Sequence, residues 1–196
     1  MESIVKTRYL EKIYGENETK VIALDKIDIE FFSGEFTAIM GPSGSGKSTL
    51  LHCLAGLDTP TNGSIYISNT DLSQLNDKQL TKLRRDSFGF VFQAFNLIPT
   101  LTAAENISLP SSIAGNSPEQ EWVDKIIETL DLKDRLGHRP NELSGGQQQR
   151  VAVARALATK PEVIFADEPT GNLDSTSSEE LLVFLKTIVT ELSQTI

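Results

Sequence analysis

The 196-residue chain has little of several things that would narrow its chemistry at once. It holds one cysteine, Cys53, which excludes an internal disulfide and a cysteine metal cluster. Placed just after a glycine-rich loop, that thiol reads as a small core residue. Positive charge is scarce: 18 Lys and Arg stand against 27 Asp and Glu, a formal net charge of −9. That balance argues against a nucleic-acid or anionic-lipid surface, and it leaves any anionic ligand dependent on local donors rather than long-range attraction. No apolar run approaches the ~20 residues that a membrane-spanning helix needs. Met1-Glu2-Ser3 opens no signal peptide. The expected location is therefore cytoplasmic, with any membrane contact made through a partner.

What is present is ordinary in bulk. Hydrophobic residues at 39% and charged residues at 23% fit one soluble domain with a substantial core.

The informative stretch is Gly41-Pro42-Ser43-Gly44-Ser45-Gly46-Lys47-Ser48-Thr49, which reads G-x-x-x-x-G-K-S/T. The apolar run Phe36 to Met40 before it has the look of a buried strand, and Leu50 to Ala55 after it has the composition of a helix. Strand, glycine loop and helix are the context in which this pattern cradles phosphates. Gly41, Gly44 and Gly46 let the backbone curl so that successive N–H groups point inward. The helix N-terminus adds a positive dipole end, worth only ~0.3–1 kcal/mol when exposed. That is too little to hold a triphosphate. Lys47, reaching the β and γ phosphates, and Mg²⁺, held partly by the Ser48 hydroxyl, must supply much of the rest.

The first forty residues alternate as strands do, over Ile4 to Tyr9 and again over Ile27 to Phe31, with Tyr14 in a polar turn between them. Tyr14 alone suits packing or the stacking of a flat base. Ser64 to Ile67 and Phe88 to Phe92 read as short strands. Asn76 or Asp77 caps a helix running to Arg85. A mixed region follows to about Arg139, punctuated by Pro99, Pro110, Pro118 and Pro140. Within it Trp122, Ile126, Ile127 and Leu130 share a helical face, with Trp122 as packing.

Two later motifs carry chemistry. Leu143-Ser144-Gly145-Gly146-Gln147-Gln148-Gln149-Arg150 opens a helix that runs to about Ala158, Ser144 as N-cap and Gln147 completing a capping box. It is either a capped amphipathic helix or a second anion site built from glycine N–H groups, a hydroxyl and a dipole end. Val163 to Ala166 is a buried strand ending in Asp167-Glu168. There Asp167 would hold a metal's shell, and Glu168 would orient or deprotonate a water. A tight turn, Pro169 to Asp174, leads to a helix from Ser177 to Thr190, with Leu181, Leu182, Leu185, Ile188 and Val189 inward.

With these pieces in this order, the chain resembles the nucleotide-binding subunit of an ATP-binding-cassette (ABC) transporter, over essentially its whole length. The glycine loop matches that family's Walker A motif, Leu143 to Arg150 its signature, and Ile164 to Glu168 its Walker B strand with the catalytic glutamate. Gln93 matches the Q-loop, and Asn172-Leu173-Asp174 the D-loop. Tyr14 falls where the adenine-stacking aromatic sits. The run from Leu83 to Pro99, together with Ala166 to Asp174, is similar to the macrolide-exporter, lipoprotein-release and antimicrobial-peptide-exporter subgroup.

The resemblance implies an α/β P-loop core with a parallel central sheet, an antiparallel N-terminal β subdomain and a helical insertion. Residues 1–93 and 160–196 would form the core and β subdomain, and about 94–159 the helical part carrying the signature. It implies ATP contacts from Tyr14, Gly41, Ser43, Gly44, Ser45, Gly46, Lys47, Ser48, Thr49 and Gln93. Ser48, Gln93 and Asp167 would serve Mg²⁺; Glu168, Lys47 and Gln93 would be catalytic. Ser144, Gly145, Gly146, Gln147 and Asp174 would meet the ATP of a second copy, because one copy brings nothing cationic to the far side of the γ-phosphate. The implied partners are ATP, that twin, and an integral membrane permease that holds the protein at the inner face of the membrane.

Two departures stand out. Asn69 sits where glycine is usual, and asparagine also tolerates positive φ. The resemblance implies a further strand carrying the family's switch histidine beyond Gln194-Thr195-Ile196, of which Thr195-Ile196 looks like the opening; neither His52 nor His138 stands in its place. ATP binding without full hydrolysis is the expectation for this form. Besides the exporter reading, a regulatory cassette of the cell-division type would look the same. A soluble cassette acting on nucleic acid fits poorly with the charge and the lack of a second cassette.

Overall fold

A computed structural model describes residues 2–116 and 118–196. Met1, on which the reading of the chain's start leans, lies outside the described residues. The chain divides into two compact units, Met1–Arg84 and Arg85–Ile196.

The first unit is built on an antiparallel sheet. β1 (Ser3–Tyr14) is its spine, pairing with β2 (Val21–Ile27), β3 (Glu30–Phe32) and β4 (Asn62–Ile67); β4 then pairs with β5 (Thr70–Asp71). Val5, Leu10, Leu24, Ile65 and Ile67 bury the inner face. The single strand expected over 27–31 is instead split, with Ile27 ending β2 and Glu30 starting β3. Thr7 is the reason. Its hydroxyl donates to the Ile27 carbonyl at 2.7 Å and accepts from Ile29 N–H at 3.0 Å, a side chain inserted where a ladder would run. Asn69 does take the left-handed conformation, at φ 69°. α1 (Lys47–Leu54) follows the glycine loop and buries Leu50, Cys53 and Leu54.

The run Phe36 to Met40, expected as a buried strand, carries no regular secondary structure, and Met40 is 88% exposed. A strand feeding a phosphate loop has no hairpin partner next to it in the chain. It needs a parallel neighbour from far away, and the antiparallel sheet of its own unit offers none.

α2 (Asp77–Ser87) spans the division. Asn76 is its cap: Gln79 N–H donates to Asn76 Oδ1 and Asn76 N–H to Gln79 Oε1, both at 3.0 Å.

The second unit is a parallel β pair clothed in helices. β6 (Phe88–Phe92) and β7 (Val163–Asp167) run in register from Phe88 opposite Val163 to Phe92 opposite Asp167. α3 (Ala103–Ile113), α4 (Gln120–Thr129), α5 (Gly145–Leu157) and α6 (Ser175–Leu192) complete it. α5 is its centre, with Val151, Ala152, Val153, Ala154 and Leu157 fully buried. Removing a leucine of that kind from water is worth ~1.5–3 kcal/mol. Ile164 N–H donates to the Thr195 carbonyl at 2.9 Å, which ties residues 194–196 to β7, though they form no strand.

Two local expectations change. Pro110 lies inside α3 rather than breaking the region. Leu182 is 41% exposed, because Leu181, Leu185 and Ile188 alone form the inward stripe of α6. Trp122 packs as expected, its Nε1 donating to the Leu157 carbonyl at 2.8 Å. Among the described residues, no helix is long and apolar enough to cross a membrane.

Candidate functional site

The glycine loop belongs to the first unit, and its conformation follows from its glycines. Gly44 and Gly46 sit at φ 78° and 89°, where a side chain is strained. At Gly46 an added Cβ would lie 2.4 Å from the Ala23 carbonyl oxygen, so the loop passes too close to β2 for any other residue. Gly46 is also the N-cap of α1, and Leu50 N–H closes the first helical bond to its carbonyl at 2.8 Å. Lys47 folds back over the loop, its Nζ donating to the carbonyls of Gly41 and Pro42 at 2.9 Å each. Gly41 to Thr49 therefore form one continuous turn and helix start, with the first backbone N–H groups of α1 turned toward the loop end of the helix. That is the geometry of an anion cradle.

Tyr14, at the end of β1, stands beside it. Its phenol donates to Asp58 Oδ2 at 2.6 Å. Asp58 Oδ1 accepts from Lys12 at 2.6 Å, and the Lys12 ammonium lies 4.8 Å from the centroid of the Tyr14 ring. Burial works against the Asp58 carboxylate, yet the hydrogen bonds from Lys12 and Tyr14 outweigh it and hold its pKa below the usual range. The same bond to Asp58, aided by burial, raises the Tyr14 phenol. Lys12 and Asp58 carried no motif in the sequence. Their only signal was a charged residue facing a turn-forming Asp-Thr-Pro. Cys53 is fully buried, and loss of solvent pushes its thiol up to about 11, in keeping with a core role.

In the second unit the parallel register brings the ends of β6 and β7 side by side, and with them Gln93 and the pair Asp167-Glu168. Glu168 is at φ 48°, a left-handed position held by a turn in which Gly171 N–H donates to its carbonyl at 2.9 Å. Backbone strain of this kind costs of order 1–3 kcal/mol and gathers at functional positions. Gln93 is held by Asn172: Gln93 Nε2 donates to Asn172 Oδ1 at 3.1 Å, and Asn172 Nδ2 to the Gln93 carbonyl at 2.9 Å. Arg155 on α5 secures the chain just beyond, donating to the carbonyls of Phe95 and Asn96.

Ser144 caps α5 as the spacing predicts, Gln147 N–H donating to its Oγ at 3.3 Å and Ser144 N–H to Gln147 Oε1 at 2.9 Å. The cap uses the serine as acceptor and leaves its O–H to donate elsewhere. Gly145 and Gly146 supply the next N–H groups. Beneath them is the start of α6, where an added Cβ on Gly146 would meet Ser177 Oγ at 3.3 Å. Asp174 is the N-cap there, accepting from Ser177 N–H at 2.9 Å and Oγ at 2.8 Å; these bonds lower its pKa. Gln149, which the sequence did not single out, is fully buried and donates to the Pro169 carbonyl at 2.7 Å. It ties the α5 start to the turn after Glu168.

The donor set expected for a metal, Ser48 hydroxyl, Gln93 amide and Asp167 carboxylate, is all oxygen. That fits Mg²⁺, which keeps waters and phosphate oxygens and takes few protein ligands. Among the described residues no three His, Cys, Asp or Glu cluster to form a protein-only metal cage.

Residues 24–171 match the family model described as ABC transporter. An uncharacterised ABC transporter ATP-binding protein of Thermotoga maritima is 50% identical over 93% of this chain and 79% of its own length. The macrolide export ATP-binding/permease protein MacB of Marinobacter nauticus is 48% identical over 93% of this chain, which spans only 29% of that protein. Among solved structures, a dimeric post-hydrolysis state of the ATP-binding cassette MJ0796, bound to ADP and Pi, is similar at a TM-score of 0.84 and 45% identity. It covers 98% of this chain and 85% of its own.

Proposed function

The chain belongs to the ABC transporter family, whose ATP-binding domain hydrolyses ATP, and from that premise we propose that it powers a membrane exporter or extractor of the macrolide, lipoprotein or antimicrobial-peptide type. It does so as a homodimer that closes on ATP and docks on an integral membrane permease at the inner face of the membrane. MacB joins an ATP-binding part to a permease in one named protein, and the likeness to it supports this direction.

The residues take the following roles. Tyr14 stacks the base. The N–H groups of the loop from Gly41 to Thr49, with Ser43 and Ser45 hydroxyls, grip the phosphates, and Lys47 neutralises the β and γ oxygens. Ser48, Gln93 and Asp167 would hold Mg²⁺ and its waters, and the ion would supply neutralising charge to the phosphate oxygens. Glu168 orients and deprotonates the attacking water. Ser144, Gly145, Gly146 and Gln147 present donors to the γ-phosphate bound by the other copy, with Asp174 nearby.

One observation carries this reading. The start of α5 is a capped helix end with donor groups left over, and Ser144 on it is exposed. An ATP that meets such an end from a second copy acts as the contact joining the two, and its loss on hydrolysis opens them.

Light scattering of Glu168→Gln with ATP and magnesium tests it. A doubled mass is expected, lost when Ser144→Arg is added. A protein that stays monomeric at every concentration would overturn the dimer reading.

A further inference from the structure

The end of β1 and the turn after α1 are joined by more bonds than a chain crossing needs. Asp58 receives the Tyr14 phenol on one oxygen and the Lys12 ammonium on the other, both at 2.6 Å. Lys12 also donates to the Thr59 carbonyl at 2.8 Å. Thr61 N–H donates to the Glu11 carbonyl at 2.8 Å, and Ile13 N–H to Thr61 Oγ1 at 2.9 Å. Asp58 in turn hangs from the last turn of α1, its N–H donating to the His52 carbonyl at 3.1 Å. The aromatic ring is thus tied, through Asp58, to the last turn of the helix that begins with Lys47.

A half-exposed tyrosine that must be ordered each time a base arrives loses affinity to that ordering; a ring fixed beforehand does not. Bonds to a charged acceptor are about twice as strong as neutral ones, so the carboxylate is an effective tether. The Lys12 ammonium lies over one face of the ring, 4.8 Å from its centroid.

Resting on the reading of Tyr14 as the base platform, we propose that Asp58, with Lys12, is a positioning residue for the nucleotide. It fixes the Tyr14 ring at a set distance from the phosphate loop through α1, so that base and triphosphate are gripped from one rigid helix. Asp58 touches no part of the nucleotide itself.

Calorimetric binding of ATP and of inorganic tripolyphosphate tests this on the full chain. Tyr14→Ala is expected to weaken ATP about tenfold, as loss of one base–aromatic stack does. Asp58→Ala should weaken ATP about fivefold and change tripolyphosphate less than about twofold, since the phosphate cradle is untouched. Asp58→Asn, which still accepts from the phenol, should fall between. In the Tyr14→Ala background, Asp58→Ala should add nothing. Equal weakening of ATP and tripolyphosphate, or the same loss with and without the Tyr14 ring, would overturn the proposal in favour of a general structural role. An unchanged ATP affinity in Tyr14→Ala would instead sink the platform reading. If Tyr14→Ala weakens ATP while the Asp58 variants bind like wild type, only the positioning role falls. Should Asp58→Ala fail to fold, Tyr14→Phe keeps the ring and cuts the tether. It is then expected to lose about threefold for ATP and nothing for tripolyphosphate, and wild-type affinity there overturns the proposal equally.

Discussion

Glu168 is at a backbone position that opposes its own side chain, and that conflict can be measured. At φ 48° a residue with a Cβ is strained by about 1–2 kcal/mol. Glycine at that position escapes the strain but gives up about 0.5–1 kcal/mol of chain entropy. Glu168→Gly is therefore expected to be more stable than Glu168→Ala by about 1 kcal/mol, which for a chain of this size is ~2–4 °C in melting temperature. Turnover moves differently. Both variants lose the water-activating carboxylate, and Glu168→Gln loses it while keeping shape and strain. All three should hydrolyse ATP about 10²–10⁴-fold more slowly, and Glu168→Gln should still bind ATP. Thermal melts beside a phosphate-release assay decide the matter. A Glu168→Gly protein that melts no higher than Glu168→Ala would refute the strain argument. Near wild-type turnover in Glu168→Gln would refute the role given to the carboxylate.

Gly46→Ala forces a Cβ to within 2.4 Å of the Ala23 carbonyl at a left-handed position. We expect a loss of about 2–4 kcal/mol in a urea melt, and ATP binding too weak to detect by calorimetry. Cys53, with its thiol raised to about 11 by burial, should react with iodoacetamide at pH 8 at least about a hundredfold more slowly than in urea, judged by the thiolate fraction alone. Fast alkylation of the folded protein would place it outside the core. Asp58 is depressed from its ordinary 3.8, so its contribution to stability is complete above that pH and fades as pH falls through the lower folded value. Lys12 and Tyr14 are raised, Tyr14 from 10.0, so theirs is complete below pH about 10 and fades as pH rises through the higher folded values. The stability gap between wild type and Asp58→Asn, followed by denaturant melts, should therefore be widest between these limits and narrow at both ends. A gap independent of pH would show that the tether is not ionic.

Short-range chemistry was legible from the residues alone. The spacing of Gly41 to Thr49, the Ser144–Gln147 capping box and the acidic pair closing an apolar run each lie within a few consecutive positions. Such local order is written in neighbouring side chains and backbone preferences, so the ordered motifs identified the family and the α/β class. Other features needed the folded chain. Tyr14 meets Asp58 across 44 positions and Gln93 meets Asn172 across 79, and no local pattern marks such pairs. The Thr7 hydroxyl that splits the strand over 27–31 acts from another strand, and the apolar run before the glycine loop shows that hydrophobicity does not make a strand without a ladder partner. Sequence fixes what a residue can do chemically; only long-range packing fixes where its partners stand, because those contacts form between segments that the chain keeps far apart.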